Sequence, residues 1–136
     1  MALSLPEELN IGIHELDDQH RAFYAEINRL HDAMKAHELE KIVPIADYLD
    51  KYASEHFATE ERLMIEAGYP GFPTHLAHHT AFRKDLARWR AQLTREGPTA
   101  SVVVELSSWI TNWLRDHIRK VDGEMAKFLR ARALKS

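Results

Sequence analysis

Residues 56–79 read His-Phe-Ala-Thr-Glu-Glu-Arg-Leu-Met-Ile-Glu-Ala-Gly-Tyr-Pro-Gly-Phe-Pro-Thr-His-Leu-Ala-His-His. His56 and Glu60 are four apart, and so are His75 and His79. Four residues is little more than one helical turn, so each pair projects from one face of a helix. Between the pairs, Gly68-Tyr69-Pro70-Gly71-Phe72-Pro73 is turn chemistry. So short a connection makes the two helices antiparallel neighbours. Three imidazoles and a carboxylate then converge near the turn, as in part of a metal site.

Outward from this hairpin the apolar spacing stays helical. Leu16, His20, Phe23, Ile27, Leu30 and Met34 step by four and three, the buried seam of a bundle helix. Asp17 or Asp18 can cap that helix. Pro44 suits the first turn of a second helix, with Ile45, Leu49, Tyr52, His56 and Glu60 on its seam and Gly68 at its end. A third opens after Pro73, with Thr74 as cap and His75, His79, Phe82, Leu86, Trp89 and Leu93 inward. Gly97-Pro98 breaks it. A fourth carries Val103, Leu106, Ile110, Trp113 and His117 on one stripe. The pattern predicts helices over about 17–37, 41–66, 74–95 and 99–131, in one all-α domain spanning 1–136. Short connections make this an up-down-up-down four-helix bundle, preceded by an extended arm over 1–16.

The topology tests the metal site independently. His20 lies near the start of the first helix, His56 and Glu60 toward the end of the second, and His75 and His79 at the opening of the third. His117 lies in the second half of the fourth. In an alternating bundle all four locations fall at one end. Each unpaired buried polar group costs about 1–3 kcal/mol, against a whole-domain margin of about 5–15 kcal/mol. Five histidines and a glutamate on the seam would cancel that margin, and metal coordination satisfies them together.

Composition removes other classes. There is no cysteine, which excludes disulfides, thiolate metal sites and iron–sulfur clusters. A net charge of -3 and the lack of a clustered basic face give no footprint for nucleic acid. No apolar run approaches the roughly 20 residues that span a bilayer, and the N-terminus is too short and polar for a signal peptide. A cytoplasmic protein, not integral to a membrane and monomeric, is the expectation. Nine histidines in 136 residues is the one compositional oddity.

Asp122 follows His117 by five residues, about 140° out of alignment at 100° per residue. To join the site it must curl around the helix, or the helix must widen locally. By spacing alone Asp122 reads as a solvated carboxylate.

The whole set is more specific than any pair. Asp17-Asp18-Gln19-His20, His56-Phe57-Ala58-Thr59-Glu60-Glu61, His75-Leu76-Ala77-His78-His79 and Trp113-Leu114-Arg115-Asp116-His117 with Asp122 resemble a bacterial hemerythrin. The likeness spans residues 10–128. It departs at the arm, where Leu5-Pro6 stands in place of a more usual Trp. The resemblance implies a four-helix bundle that binds O₂ reversibly at two non-haem iron ions joined by an oxo or hydroxo bridge. Carried over by position, His75, His79 and His117 would hold one iron and His20 and His56 the other, with Glu60 and Asp122 bridging. The resemblance thus recruits Asp122 to the site.

On that ligand set, five imidazoles, two bridging carboxylates and a single-atom bridge fill eleven of twelve octahedral positions. The gap falls beside His20 and His56, where O₂ would enter. Imidazole and carboxylate suit iron. Di-iron oxygenases and ferritins use four carboxylates with Glu-x-x-His motifs, and no glutamate here is followed three residues later by histidine. A nitrogen-rich site stabilises high-valent iron less, which favours carriage, storage or delivery of O₂, with an oxygen-consuming enzyme as the expected recipient, over catalysis. A di-iron oxidase or peroxidase, a nitric-oxide-handling enzyme, an oxygen or iron sensor module, and a bundle with structural zinc remain the alternatives. The O₂ pocket should be dry and apolar. Leu114, three before His117 and on its face, is the wall candidate, with Phe23, Phe57 and Met64 near other ligands. His78 reads as a surface residue, and Asp17 as a cap rather than a ligand.

Overall fold

Seams that step by four and three residues fold into four rods. α1 spans His14–Lys35, α2 Ile42–Ala67 and α3 Phe72–Glu96. The fourth rod is built in three pieces: α4 Ala100–Asp116, a π-helical segment His117–Asp122, and α5 Gly123–Lys135. A short 3-10 turn, Leu39–Lys41, joins α1 to α2. The computed structural model describes residues 10–135, with side chains through Arg132. Residues 1–9 of the expected arm, including Leu5-Pro6, lie outside the described residues. α1 packs on α2 and α4, and α3 packs on α2 and α4, closing an all-α up-down-up-down bundle.

The seams lie inward. On α1, Leu16, Phe23, Ile27 and Leu30 are fully buried. Leu49, Phe57 and Met64 of α2 meet Phe82 and Leu86 of α3 and Leu106 and Ile110 of α4 in one core. Each such side chain contributes about 1.5–3 kcal/mol on burial, so the apolar length of the bundle can carry a polar layer at one end.

Two helix starts differ from the expected ones by more than one residue. α1 begins at His14, inside the stretch expected to be arm, and Ile13 occupies its N-cap position without a side-chain bond. Asp17 is not the cap. It sits in the first turn and its carboxylate reaches back to accept the Ile11 N–H at 2.9 Å and the Gly12 N–H at 3.2 Å. Arg130 of α5 donates to the Ile11 carbonyl at 2.8 Å, pinning the same segment to the fourth rod. α3 begins at Phe72 with Gly71 at its N-cap position, and Pro73 lies in the first turn. Proline has no N–H to leave unpaired there, so the helix starts before Thr74 and needs no hydroxyl cap. α4 does have one: the Thr99 hydroxyl accepts the Val102 N–H at 3.3 Å.

Gly68 ends α2 as expected. Its φ of 68° is left-handed, and the Tyr69 N–H returns to the Met64 carbonyl at 3.0 Å. A Cβ there would meet nothing within 4 Å, so conformation, not space, calls for glycine. Among the described residues no helix is long and apolar enough to cross a membrane.

Candidate metal centre

Seven polar side chains occupy one layer of the interior. His20 comes from α1, His56 and Glu60 from α2, His75 and His79 from α3, and His117 and Asp122 from the two ends of the π segment. All seven are at most 3 % exposed, a depth at which unpaired charges and imidazoles are costly. They are the residues singled out by spacing and by likeness, and the structure brings all of them together.

The π segment explains how Asp122 joins. There the Gly123 N–H bonds the Ile118 carbonyl, five residues back. The widened turn brings residues five apart onto one face, and His117 Nε2 stands 3.0 Å from Asp122 Oδ1. A Cβ on Gly123 would come no nearer than 3.6 Å to the Ile118 carbonyl oxygen, an ordinary contact, so the widening does not require glycine at that position.

Two overlapping groups can each hold a cation. Glu60, His75, His79, His117 and Asp122 form one, and His20, His56, Glu60 and Asp122 the other. The carboxylates belong to both. Asp122 turns Oδ1 toward His75 and His117, at 3.0 Å each, and Oδ2 toward His20 at 3.0 Å. Glu60 Oε1 lies 3.0 Å from His56 Nε2 and 3.3 Å from His79 Nε2, and Oε2 lies 3.6 Å from His75 Nε2.

The fit to a metal rests on the orphaned atoms. Both Glu60 oxygens, Asp122 Oδ1 and the Nε2 atoms of His75, His79 and His117 are buried without a well-formed hydrogen bond. They are close but not aligned on one another, as atoms aimed at shared points between them would be. His20 Nε2 and His56 Nε2 approach to 3.0 Å. Ligands at right angles, each about 2.1 Å from one ion, stand about 3.0 Å apart, so this is a ligand spacing.

Electrostatics sets the protonation the site must lose to bind metal. Burial pushes the His56 imidazole down, but Glu60 and Asp122 outweigh it and raise its pKa to about 10. Burial likewise opposes His75, and the same two carboxylates raise it to about 9. Burial and the Asp122 charge push Glu60 up, yet His56 and His75 hold it at about 2. Asp122, opposed by burial, is held well below the carboxylate range by His117, His20 and His56.

Rings and polar partners fix the ligand geometry. Phe57 stacks on His79, centroids 3.8 Å apart and planes 11° apart, and Trp113 stacks on His117 at 4.4 Å and 13°. The His79 Nδ1–H donates to Glu61 Oε2 at 2.9 Å. The His56 Nδ1–H donates to Gln19 Oε1 at 2.7 Å. Both bonds place the proton on Nδ1 and leave Nε2 free to ligate. Sequence reasoning passed over Gln19, Glu61 and the stacking role of Trp113. Their only signal was adjacency to a ligand or, for Trp113, a position one turn before one.

Other candidates lie elsewhere. Asp17 is occupied by the Ile11 and Gly12 amides. His78 is exposed, and its ring centroid lies 5.9 Å from that of His117. Leu114 is buried in α4, 1 % exposed, and Phe23, Phe57 and Met64 are fully buried.

A four-rod bundle with a histidine-rich layer at one end, its two carboxylates common to both groups of histidines, defines a class: cation-binding helical bundles with an internal site. The chain belongs to the hemerythrin HHE cation binding domain family, which matches residues 11–129. It is 36 % identical over 125 residues to a bacteriohemerythrin of Stenotrophomonas maltophilia, covering 92 % of this chain and 80 % of the relative. A bacteriohemerythrin of Pseudomonas aeruginosa is 34 % identical over 116 residues, covering 85 % and 74 %. The fold superposes on a wild-type hemerythrin crystal structure with a TM-score of 0.83 and 25 % identity, covering 95 % of this chain and 98 % of that one. Membership implies non-haem iron as the metal.

Proposed function

We propose that this chain binds O₂ reversibly at a pair of non-haem iron ions, as an oxygen carrier, store or delivery protein. His75, His79 and His117 would hold one iron, His20 and His56 the other, and Glu60 and Asp122 would bridge them. The observation that carries this is the division of Asp122 between the two histidine groups, Oδ1 toward His75 and His117 and Oδ2 toward His20. A carboxylate shared in that way is what a two-metal site needs, and a single-ion site has no use for it. When bound, a ferrous pair supplies an open position for O₂ and the two electrons that retain it.

The protein's own part is to hold and to exclude. Five imidazoles against two carboxylates make a donor set poor in anionic oxygen, which supports binding over oxidation of a substrate. Stacking of Phe57 on His79 and Trp113 on His117 fixes ring planes without adding charge. Leu114, Phe23, Phe57 and Met64 would keep water and protons from the bound gas, with Leu114 as pocket wall. The two-histidine side, with fewer protein donors, is where O₂ would enter.

Anaerobic reduction of the iron-loaded protein, followed by repeated admission and removal of air, tests the reading. A visible band that appears with air and vanishes under vacuum over several cycles supports it. Irreversible bleaching to the oxidised form on first exposure contradicts it.

A further inference from the structure

Each histidine of the cluster has an outer nitrogen, and the protein serves these unequally. The Nδ1 atoms of His20, His75 and His117 are buried with no hydrogen-bond partner. The other two have one partner each, and those partners differ in charge. His79 Nδ1 donates to the Glu61 carboxylate at 2.9 Å, whereas His56 Nδ1 donates to the Gln19 amide oxygen at 2.7 Å. The amide cannot turn over without loss: Gln19 Nε2 donates to Thr59 Oγ1 at 3.1 Å, and the Thr59 hydroxyl donates to the Glu55 carbonyl at 3.1 Å. That chain leaves Gln19 Oε1 as the neutral acceptor facing His56. Each of the two histidine groups therefore has one anchored ligand, anionic on the three-histidine side and neutral on the two-histidine side.

We infer that Glu61 and Gln19 are positioning residues that make the two metal positions electronically unequal, so that the His75/His79/His117 position is oxidised first. The inference rests on the di-iron reading above. A charge-assisted bond to carboxylate is about twice as strong as a neutral one, and it pulls the Nδ1 proton outward, making Nε2 the better donor. A better donor favours the ferric over the ferrous ion. An amide does this far less, so the iron beside His56 retains its electron longer. In a one-electron oxidation of the iron-loaded protein by an added ferric complex, the electron would come from the iron held by His75, His79 and His117, and the added complex would become ferrous. A second equivalent would then oxidise the iron held by His20 and His56.

The test is an anaerobic potentiometric titration of the iron-loaded protein, following iron content and spectrum, in wild type, Glu61→Gln, Glu61→Asp and Gln19→Glu. Wild type should oxidise in two resolved one-electron steps. Glu61→Gln should weaken the preference for ferric ion about tenfold, the lower end of such outer-partner effects, raising the first step by about 59 mV. Glu61→Asp should restore it toward wild type, which loss of packing alone would not do. Gln19→Glu should lower the second step and draw the two together. Cobalt(II) affinity of Glu61→Gln should fall about tenfold to a hundredfold, a readout independent of O₂. Variants that retain two irons with potentials equal to wild type would overturn the inference while leaving the di-iron reading intact. Wild type that takes up fewer than two irons would overturn both.

Discussion

His117 and Asp122 are five residues apart, yet His117 Nε2 and Asp122 Oδ1 stand 3.0 Å from each other across a single widened turn. In a regular α-helix they would point about 140° apart. The fourth rod gives up one turn of regular hydrogen bonding to deliver both, at the point where the bundle closes on its polar layer. If Asp122 is the shared ligand, Asp122→Asn should reduce bound iron below two per chain in elemental analysis. It should also cost the metal-free fold about 3–5 kcal/mol in denaturant unfolding, because it strips the carboxylate from a buried ionic cluster. Unchanged iron content would remove Asp122 from the ligand set.

His56 tests the division of labour between the two sides. His56→Ala should abolish the O₂-dependent band while His75, His79 and His117 keep an ion, so iron content should fall toward one per chain. An O₂ spectrum identical to wild type would refute the placement of the gas beside His56.

Leu114 tests the dry wall. Leu114→Ala opens space beside the layer and should cost about 2–5 kcal/mol of stability. The oxygenated protein should then oxidise faster, since water and protons gain access. An autoxidation rate equal to wild type, with the stability loss present, would make Leu114 a packing residue only.

Metal uptake should release protons, and the pH dependence has a defined sign. With pKa values of about 10 and 9, His56 and His75 are protonated at pH 7 before loading and neutral as ligands. Loading should therefore release close to two protons per chain at pH 7 from these groups, falling toward none above pH 10. Calorimetry of metal binding in buffers of different ionisation enthalpy measures this. The same shifts govern the metal-free fold. The raised histidines contribute stability that is fully present below their ordinary value of 6.5 and is lost as pH rises through 9–10. Glu60, depressed from 4.5 to about 2, contributes stability present above 4.5 and lost as pH falls toward 2. Metal-free protein should be most stable between about pH 4.5 and 6.5 as far as this cluster decides. A stability maximum well above pH 7 would contradict the charge assignment.

Helical period made much of this molecule legible before any coordinates. Steps of four and three residues expose which face of each rod is buried, and His20, His56, Glu60, His75 and His79 stand out because they interrupt apolar seams. The alternation of four rods then places them at one level. Asp122 was not legible that way, because the rule that links spacing to direction assumes a regular α-helix, and the fourth rod widens into a π segment over His117–Asp122. Gln19 and Glu61 were invisible for another reason. Which outer nitrogen each reaches depends on the rotation of α1 against α2 for Gln19 and of α2 against α3 for Glu61, a quantity that one-dimensional periodicity does not contain. Helix starts at His14 and Phe72 also escaped, since Asp17 bonds backward from inside its helix and Pro73 makes a hydroxyl cap unnecessary.

The most direct test of the two-ion centre is a crystal structure of the iron-loaded protein with anomalous scattering collected at the iron edge. Two iron peaks per chain are expected, both within the layer formed by Glu60 and Asp122, one ringed by His75, His79 and His117 and one by His20 and His56. A single peak, or iron found only outside that layer, would contradict it.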